Sequence, residues 1–214
     1  MKKTIKLFSL ALSVFLSLSL FTACALPRDD ANASSQTTAQ VDSRFTRYEN
    51  LSSEEIWDGV EDAKDVKITW KNFQGSTGLI IKDGNTAQYE QDGTVTYYDY
   101  ENAIEYYPLE NGTYTTREYN SDWDGLWFSE CANPILVAQG LEILVDDDSY
   151  DSPVDGIYQV NSKTLGKLDP DGTADVEAYL KADGITYTFV CKKNGQTLTC
   201  TIEFGDFTIV LPSP

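Results

Sequence analysis

The chain has 214 residues, of which 34 are acidic and 16 are basic, and it contains no histidine. Without histidine there is no Ser-His-Asp or Cys-His catalytic group and no imidazole ligand for a metal ion. The net charge of −18 argues against a nucleic-acid partner, because phosphates are bound by Lys and Arg. The 41% of hydrophobic residues is enough for the core of one globular domain, which we expect to be monomeric. We also expect that the protein is not an enzyme and needs no cofactor.

Residues 1–23 have the composition of a secretory signal peptide. Three lysines lie within the first six residues, and an apolar run follows from Leu7 to Phe21. A helix over this run would rise about 22 Å, which is less than the ~30 Å hydrocarbon core of a bilayer. The run is therefore too short to be a spanning helix, and its length is typical of a signal peptide.

The run ends in Thr22-Ala23-Cys24, which resembles the lipobox of bacterial lipoproteins, although Phe21 stands where that motif usually has Leu. In that family the cysteine is acylated and the chain is cut before it. The resemblance implies lipid attachment at Cys24 and a location on the outer face of the bacterial cytoplasmic membrane. An ordinary signal peptide that is cut at Ala23-Cys24-Ala25, leaving Leu26 as the first mature residue, also fits the small residues.

Residues 24–44 are rich in Ala, Ser, Thr, Gln and Asp, a composition that predicts a flexible tether. The domain then spans 45–214. Ser52, followed by Glu55 three residues later, is a capping-box pattern that predicts a helix over 53–64.

From residue 65 the hydrophobic period changes to two, which predicts strands. Asp-Gly and Asn-Gly pairs separate them and are typical of type I′ hairpin turns. The predicted strands cover 66–73, 77–82, 85–91, 94–100, 103–108, 113–119, 156–160, 174–181, 185–192, 197–204 and 207–212.

A helical insert interrupts the strands after residue 120. Its apolar stripe must be buried against the sheet or against a ligand, which makes these residues candidates for a ligand site. The candidates are Trp123, Leu126, Trp127, Ile135 and Leu136.

Together these elements predict an α+β fold: a curved antiparallel sheet of about ten strands, an N-terminal helix, and a helical insert on the concave face. The opening helix and first strand (Leu51 to Trp70), the insert, and the closing 204–212 resemble the LolA/LppX-like lipoproteins in architecture. That resemblance implies a half-barrel that binds an acyl chain or lipid in its concavity.

A second hypothesis is a surface interaction module without a cavity. Tyrosines are dense between Tyr89 and Tyr119, and an aromatic sheet surface can bind cell-wall glycan or a partner protein. The same residues also pack well as cross-strand neighbours, and this is the simpler interpretation.

Two further patterns carry weaker hypotheses. Cys191 and Cys200 lie on the two arms of a predicted hairpin, directly opposite if the turn is Gly195-Gln196 and diagonal if it is Asn194-Gly195. A disulfide between them, a bond from Cys131, and three free thiols all remain open. The acidic segment 146–155 lacks the EF-hand register, so we predict a solvated loop and no metal site.

Overall fold

The computed structural model describes residues 47–119, 136 and 139–214. The predicted signal peptide, tether and lipid attachment at Cys24 lie outside these residues, as does most of the predicted insert. The described chain is mostly β, with one ten-stranded antiparallel open sheet and two α-helices. The predicted α+β class with an antiparallel sheet of about ten strands is confirmed at this level.

The sheet consists of two meanders that meet in its centre. The strands are β1 (Asp65–Lys71), β2 (Thr77–Asp83), β3 (Thr86–Gln91), β4 (Thr94–Asp99), β5 (Ile104–Pro108), β6 (Tyr114–Glu118), β7 (Ile157–Gln159), β8 (Val176–Asp183), β9 (Thr186–Lys193) and β10 (Gln196–Phe204). Their spatial order is β6-β5-β4-β3-β2-β1-β10-β9-β8-β7. The first and last strands therefore pair with each other, antiparallel, from Val66 opposite Phe204 to Lys71 opposite Thr199.

The turns follow from residues that tolerate a left-handed backbone. Asp92-Gly93 has positive φ at both positions, which is the type I′ geometry that was predicted. Asn194-Gly195 has it too, so the last hairpin uses this turn and not the alternative Gly195-Gln196. The turn between β2 and β3 differs from the prediction by one position, because Asp83 pairs with Thr86. This turn is therefore Gly84-Asn85, and the prediction of an Asp83-Gly84 turn was wrong.

Helix α1 (Ser53–Asp62) begins at the predicted capping box. The Ser52 hydroxyl accepts a hydrogen bond from the Glu55 backbone N–H, and the Glu55 carboxylate accepts one from the Ser52 N–H. Its apolar side chains Ile56 and Val60 are fully buried. The helix packs on one face of the sheet, which we call the core face.

The core face carries the alternate, inward-pointing residues of the central strands. They are buried together with α1 and with the 3-10 helix η1 (Glu142–Val145). The fully buried members include Val66, Ile68, Leu180, Phe189, Leu198, Cys200, Ile202 and Phe204. This core lies over β1 and β8–β10, and α1 and η1 cover it.

Two elements differ from the sequence prediction. Helix α2 (Ser162–Leu168) was not predicted, although Asn161 caps it by accepting the Thr164 N–H at 3.0 Å. Residues 207–212 are not a strand. Instead, the Ile209 N–H donates to the Asp83 carboxylate at 3.1 Å, so a side chain, and not a sheet ladder, holds this segment.

The segment before α1 is fixed to the core by aromatic contacts. The Tyr48 ring stacks on Phe204 with centroids 4.1 Å apart and planes within 2°. The buried Tyr187 hydroxyl donates to the Tyr48 carbonyl and accepts from the Leu51 N–H at 3.2 Å. Docking therefore reaches at least as far back as Tyr48.

Candidate binding surface on the sheet

Four of the five predicted ligand residues, Trp123, Leu126, Trp127 and Ile135, lie outside the described residues. The fifth, Leu136, has no exposed surface and belongs to the hydrophobic core with Leu141 and Leu144. Protein side chains therefore cover Leu136 in the described structure, and its role as a ligand residue stays a prediction.

The core face continues beyond α1 as a partly exposed surface on β1–β3, where Trp70 lies flat against the sheet. Trp70 pairs with Gly78 across β1 and β2. A Cβ atom on Gly78 would lie 1.8 Å from Trp70 Cζ2 and 2.2 Å from Cε2. The indole thus occupies the space that any other side chain at position 78 would need.

Tyr89 extends this surface on β3. Its ring stacks beside Trp70 with centroids 6.0 Å apart and planes inclined by 27°. The Tyr89 hydroxyl donates to Gln91 Oε1 at 2.5 Å, which fixes the ring. We call Trp70 and Tyr89, with Gly78 beneath them, the aromatic platform. Sequence reasoning missed it, because the Trp70–Gly78 pairing depends on the strand register.

The aromatic platform borders the filled core directly. Trp70 is opposite Cys200, and Cys200 is opposite Phe189 on the next strand. Phe189 in turn packs against Trp57 of α1, with ring centroids 5.2 Å apart. An apolar row therefore runs from the helix-covered core to the partly exposed platform.

Beyond the platform, the core face carries a tyrosine cluster of Tyr98, Tyr100 and Tyr119. The Tyr98 and Tyr100 rings are stacked at 6.2 Å, and Tyr119 meets them edge-on at 6.1 and 5.5 Å. Lys82 lies on the same face beside Ala87. Desolvation by burial lowers the Lys82 pKa, and the charges of Asp65 and Asp62 partly offset this by raising it.

An ion pair lies on the same face at the edge of the sheet. Arg117 of β6 donates to both carboxylate oxygens of Glu105 on β5, at 2.5 and 2.9 Å. The Glu105 carboxylate is buried, whereas the Arg117 side chain is 63% exposed. Hydrogen bonding to Glu105 raises the Arg117 pKa. The pair gives this face a polar border.

Tyrosines also lie on the opposite face of the sheet. Tyr97 and Tyr106 are cross-strand partners, and Tyr97 meets Tyr114 edge-on at 5.5 Å. All three are half-buried. Desolvation, followed by the interaction with Tyr114, raises the Tyr97 pKa. The tyrosine-rich region thus has aromatic surface on both faces.

The two cysteines of the last hairpin adopt the diagonal arrangement. Cys191 is opposite Leu198, and Cys200 is opposite Phe189, because the turn is Asn194-Gly195. Both thiols are free and buried. Burial raises the pKa of Cys191 to about 11 and that of Cys200 to about 12. Cys131 lies outside the described residues.

The acidic segment has a structural contact. Asp147, in the 3-10 helix η2 (Asp147–Ser149), accepts the Glu54 backbone N–H at 3.1 Å, in the first turn of α1. Among the described residues, no group of three or more His, Cys, Asp or Glu side chains is placed to hold a metal ion. No α-helix of the described ranges is both long and apolar enough to cross a bilayer.

Comparison with known proteins does not place the chain in a family. No protein-family model matches the chain, and a search of curated proteins gave no match.

Proposed function

We propose that this protein is a non-catalytic lipoprotein, anchored through Cys24 to the outer face of a bacterial cytoplasmic membrane, that binds an acyl chain or lipid. In this proposal the sheet curves into a half-barrel of the LolA/LppX type, and the ligand contacts the core face over β1–β3. The observation that carries the proposal is the aromatic platform, a partly exposed indole and phenol that continue the buried core.

The geometry supports an apolar ligand for two reasons. First, Trp70 and Tyr89 present ring surface where the α1-covered core ends, so a hydrocarbon placed there would extend that core and leave water. Second, Gly78 supplies no side chain, so the indole can lie flat on the sheet, where it is partly exposed. The four ligand candidates of the insert remain predictions.

Native mass spectrometry of the purified protein tests the proposal most directly, since a carrier is expected to retain co-purifying lipid. An environment-sensitive fluorescent probe that carries an acyl ester provides the second measurement. Trp70→Ala should weaken probe binding clearly, whereas Tyr179→Phe, on the opposite face of β8, should leave it unchanged. Absence of lipid in the mass spectrum together with no probe binding would end the proposal.

The runner-up is a surface interaction module that binds wall glycan or a partner protein. The half-buried tyrosines Tyr97, Tyr106 and Tyr114 favour it, because they form an aromatic surface on the face that α1 does not cover. Substituting Tyr106 by Ser should abolish retention on purified cell wall if this hypothesis holds, while Trp70→Ala should not. The carrier proposal expects the reverse pattern for the lipid probe.

A further inference from the structure

A buried donor on α1 lacks an acceptor. Trp57 is 8% exposed, and its ring packs against Phe189 at an inclination of 32°. Within the ranges the structure describes, its indole nitrogen Nε1 is a buried polar atom with no hydrogen-bond partner. Native interiors pair nearly all such groups, because an unpaired buried donor has lost its hydrogen bonds to water without replacement.

The surroundings of Trp57 restrict the chemistry of the missing acceptor. The residue belongs to the hydrophobic core cluster, next to the apolar row of Phe189, Cys200 and Trp70. Burying a carboxylate there with a single hydrogen bond would cost far more than burying a neutral carbonyl. The indole N–H therefore suits one neutral oxygen attached to an apolar body.

We propose that the Trp57 indole N–H binds the ester or amide carbonyl of an acyl lipid, so that the ligand is an esterified or amide-linked acyl chain and not a free fatty acid. This inference rests on the proposed lipid-binding function. It adds the chemical class of the ligand and a polar contact that orients it. Trp57 would hold the carbonyl end at α1, and the aromatic platform, two strands away from Phe189, would contact the hydrocarbon.

The test compares three ligands of equal chain length: methyl laurate, laurate and dodecane. Each is titrated into the full chain carrying Cys24→Ala, so that no covalent lipid competes. The protein that keeps Trp57 should bind methyl laurate more tightly than either laurate or dodecane. Trp57→Phe should lose up to about tenfold in affinity for methyl laurate, the equivalent of one hydrogen bond. Its affinity for dodecane should change much less, which separates the lost N–H from the lost ring area.

A second measurement avoids the variant altogether. In the ¹H–¹⁵N spectrum of the protein, the Trp57 indole proton should shift downfield with methyl laurate and not with dodecane. If Trp57→Phe weakens methyl laurate and dodecane equally, if laurate binds as tightly as its ester, or if the indole proton does not shift, the inference is wrong while lipid binding stands. If no ligand binds and no lipid co-purifies, the proposed function fails and this inference fails with it.

Discussion

The contact between Trp70 and Gly78 gives the most specific prediction about the surface. Gly78 lies within β2 and its φ is not positive, so its backbone would accept alanine. A Cβ atom there, however, would lie 1.8, 2.2 and 2.3 Å from three indole carbons, where carbon atoms prefer about 3.5–4.0 Å. The indole would therefore have to move by roughly 1.5 Å or more.

Gly78→Ala should consequently destabilise the protein by about 1–3 kcal/mol, as overpacking does. For a chain of this size each 1 kcal/mol lowers the melting temperature by about 2–4 °C. Urea unfolding, followed by circular dichroism, measures the loss. The tryptophan emission of the folded state should also change, because Trp70 leaves the sheet.

Gly166 offers a matched control. It lies in α2, and apart from its chain neighbours and its own helix backbone no atom lies within 4 Å of the Cβ it would gain. Gly166→Ala should therefore be neutral or stabilising by about 0.5–1 kcal/mol. A second control repeats Gly78→Ala in a Trp70→Leu background, where the loss should largely disappear. Equal stability of Gly78→Ala and the parent chain would refute the flat placement of the indole.

Three other predictions test separate features. Tyr187→Phe should lower the free energy of unfolding by about 1–3 kcal/mol, because the Tyr48 carbonyl and the Leu51 N–H both lose their hydrogen-bond partner. As a control, Tyr179→Phe should change it by less than about 0.5 kcal/mol. Equal effects of the two variants would mean that the docked segment adds no stability. Burial raises the pKa values of Cys191 on β9 and Cys200 on β10 from 9.0 to about 11 and about 12. The contribution of these thiols to stability is therefore complete below about pH 9 and is lost as the pH rises toward the raised values. A denaturation midpoint that does not change from pH 8 to 11 would contradict this. Cys24→Ala should release the protein from membranes or leave it unprocessed, and a wild-type mature N-terminus without lipid would disprove the anchor.

Much of the fold was predictable because local chemistry decides it. The capping box at Ser52 and Glu55 fixed the start of α1, and alternation with Asn-Gly and Asp-Gly turns gave ten strands with closely matching bounds. Helix α2 was missed because seven residues that include Gly166 carry little helical pattern. The segment 207–212 has strand-like composition, but it is held by side-chain contacts, which composition cannot indicate. They include the bond from Ile209 to the Asp83 carboxylate and the contact of Lys67 with the Phe207 ring.

The candidate site was less predictable than the fold. Hydrophobic periodicity identifies residues that must be buried, but it does not say whether protein or ligand covers them. Leu136 is an example, since the structure shows it buried in the core with Leu141 and Leu144, while its contact with a ligand stays a prediction. The aromatic platform depends on the cross-strand register that pairs Trp70 with Gly78, and no local pattern indicates this pairing.

The pairing of β1 with β10 has a consequence for how the protein is made. Lys67 and Glu203, joined by a salt bridge across this pair, are 136 positions apart in sequence. A growing chain can form the β1–β6 meander early, but the central β1–β10 pairing must wait until β10 (Gln196–Phe204) has been made. Closing so long a loop is entropically costly and slows folding. Loss of the last three residues of β10, 202–204, would remove three of the six residue pairs that join β1 to β10, so the sheet would be weakened at its middle and not at an edge.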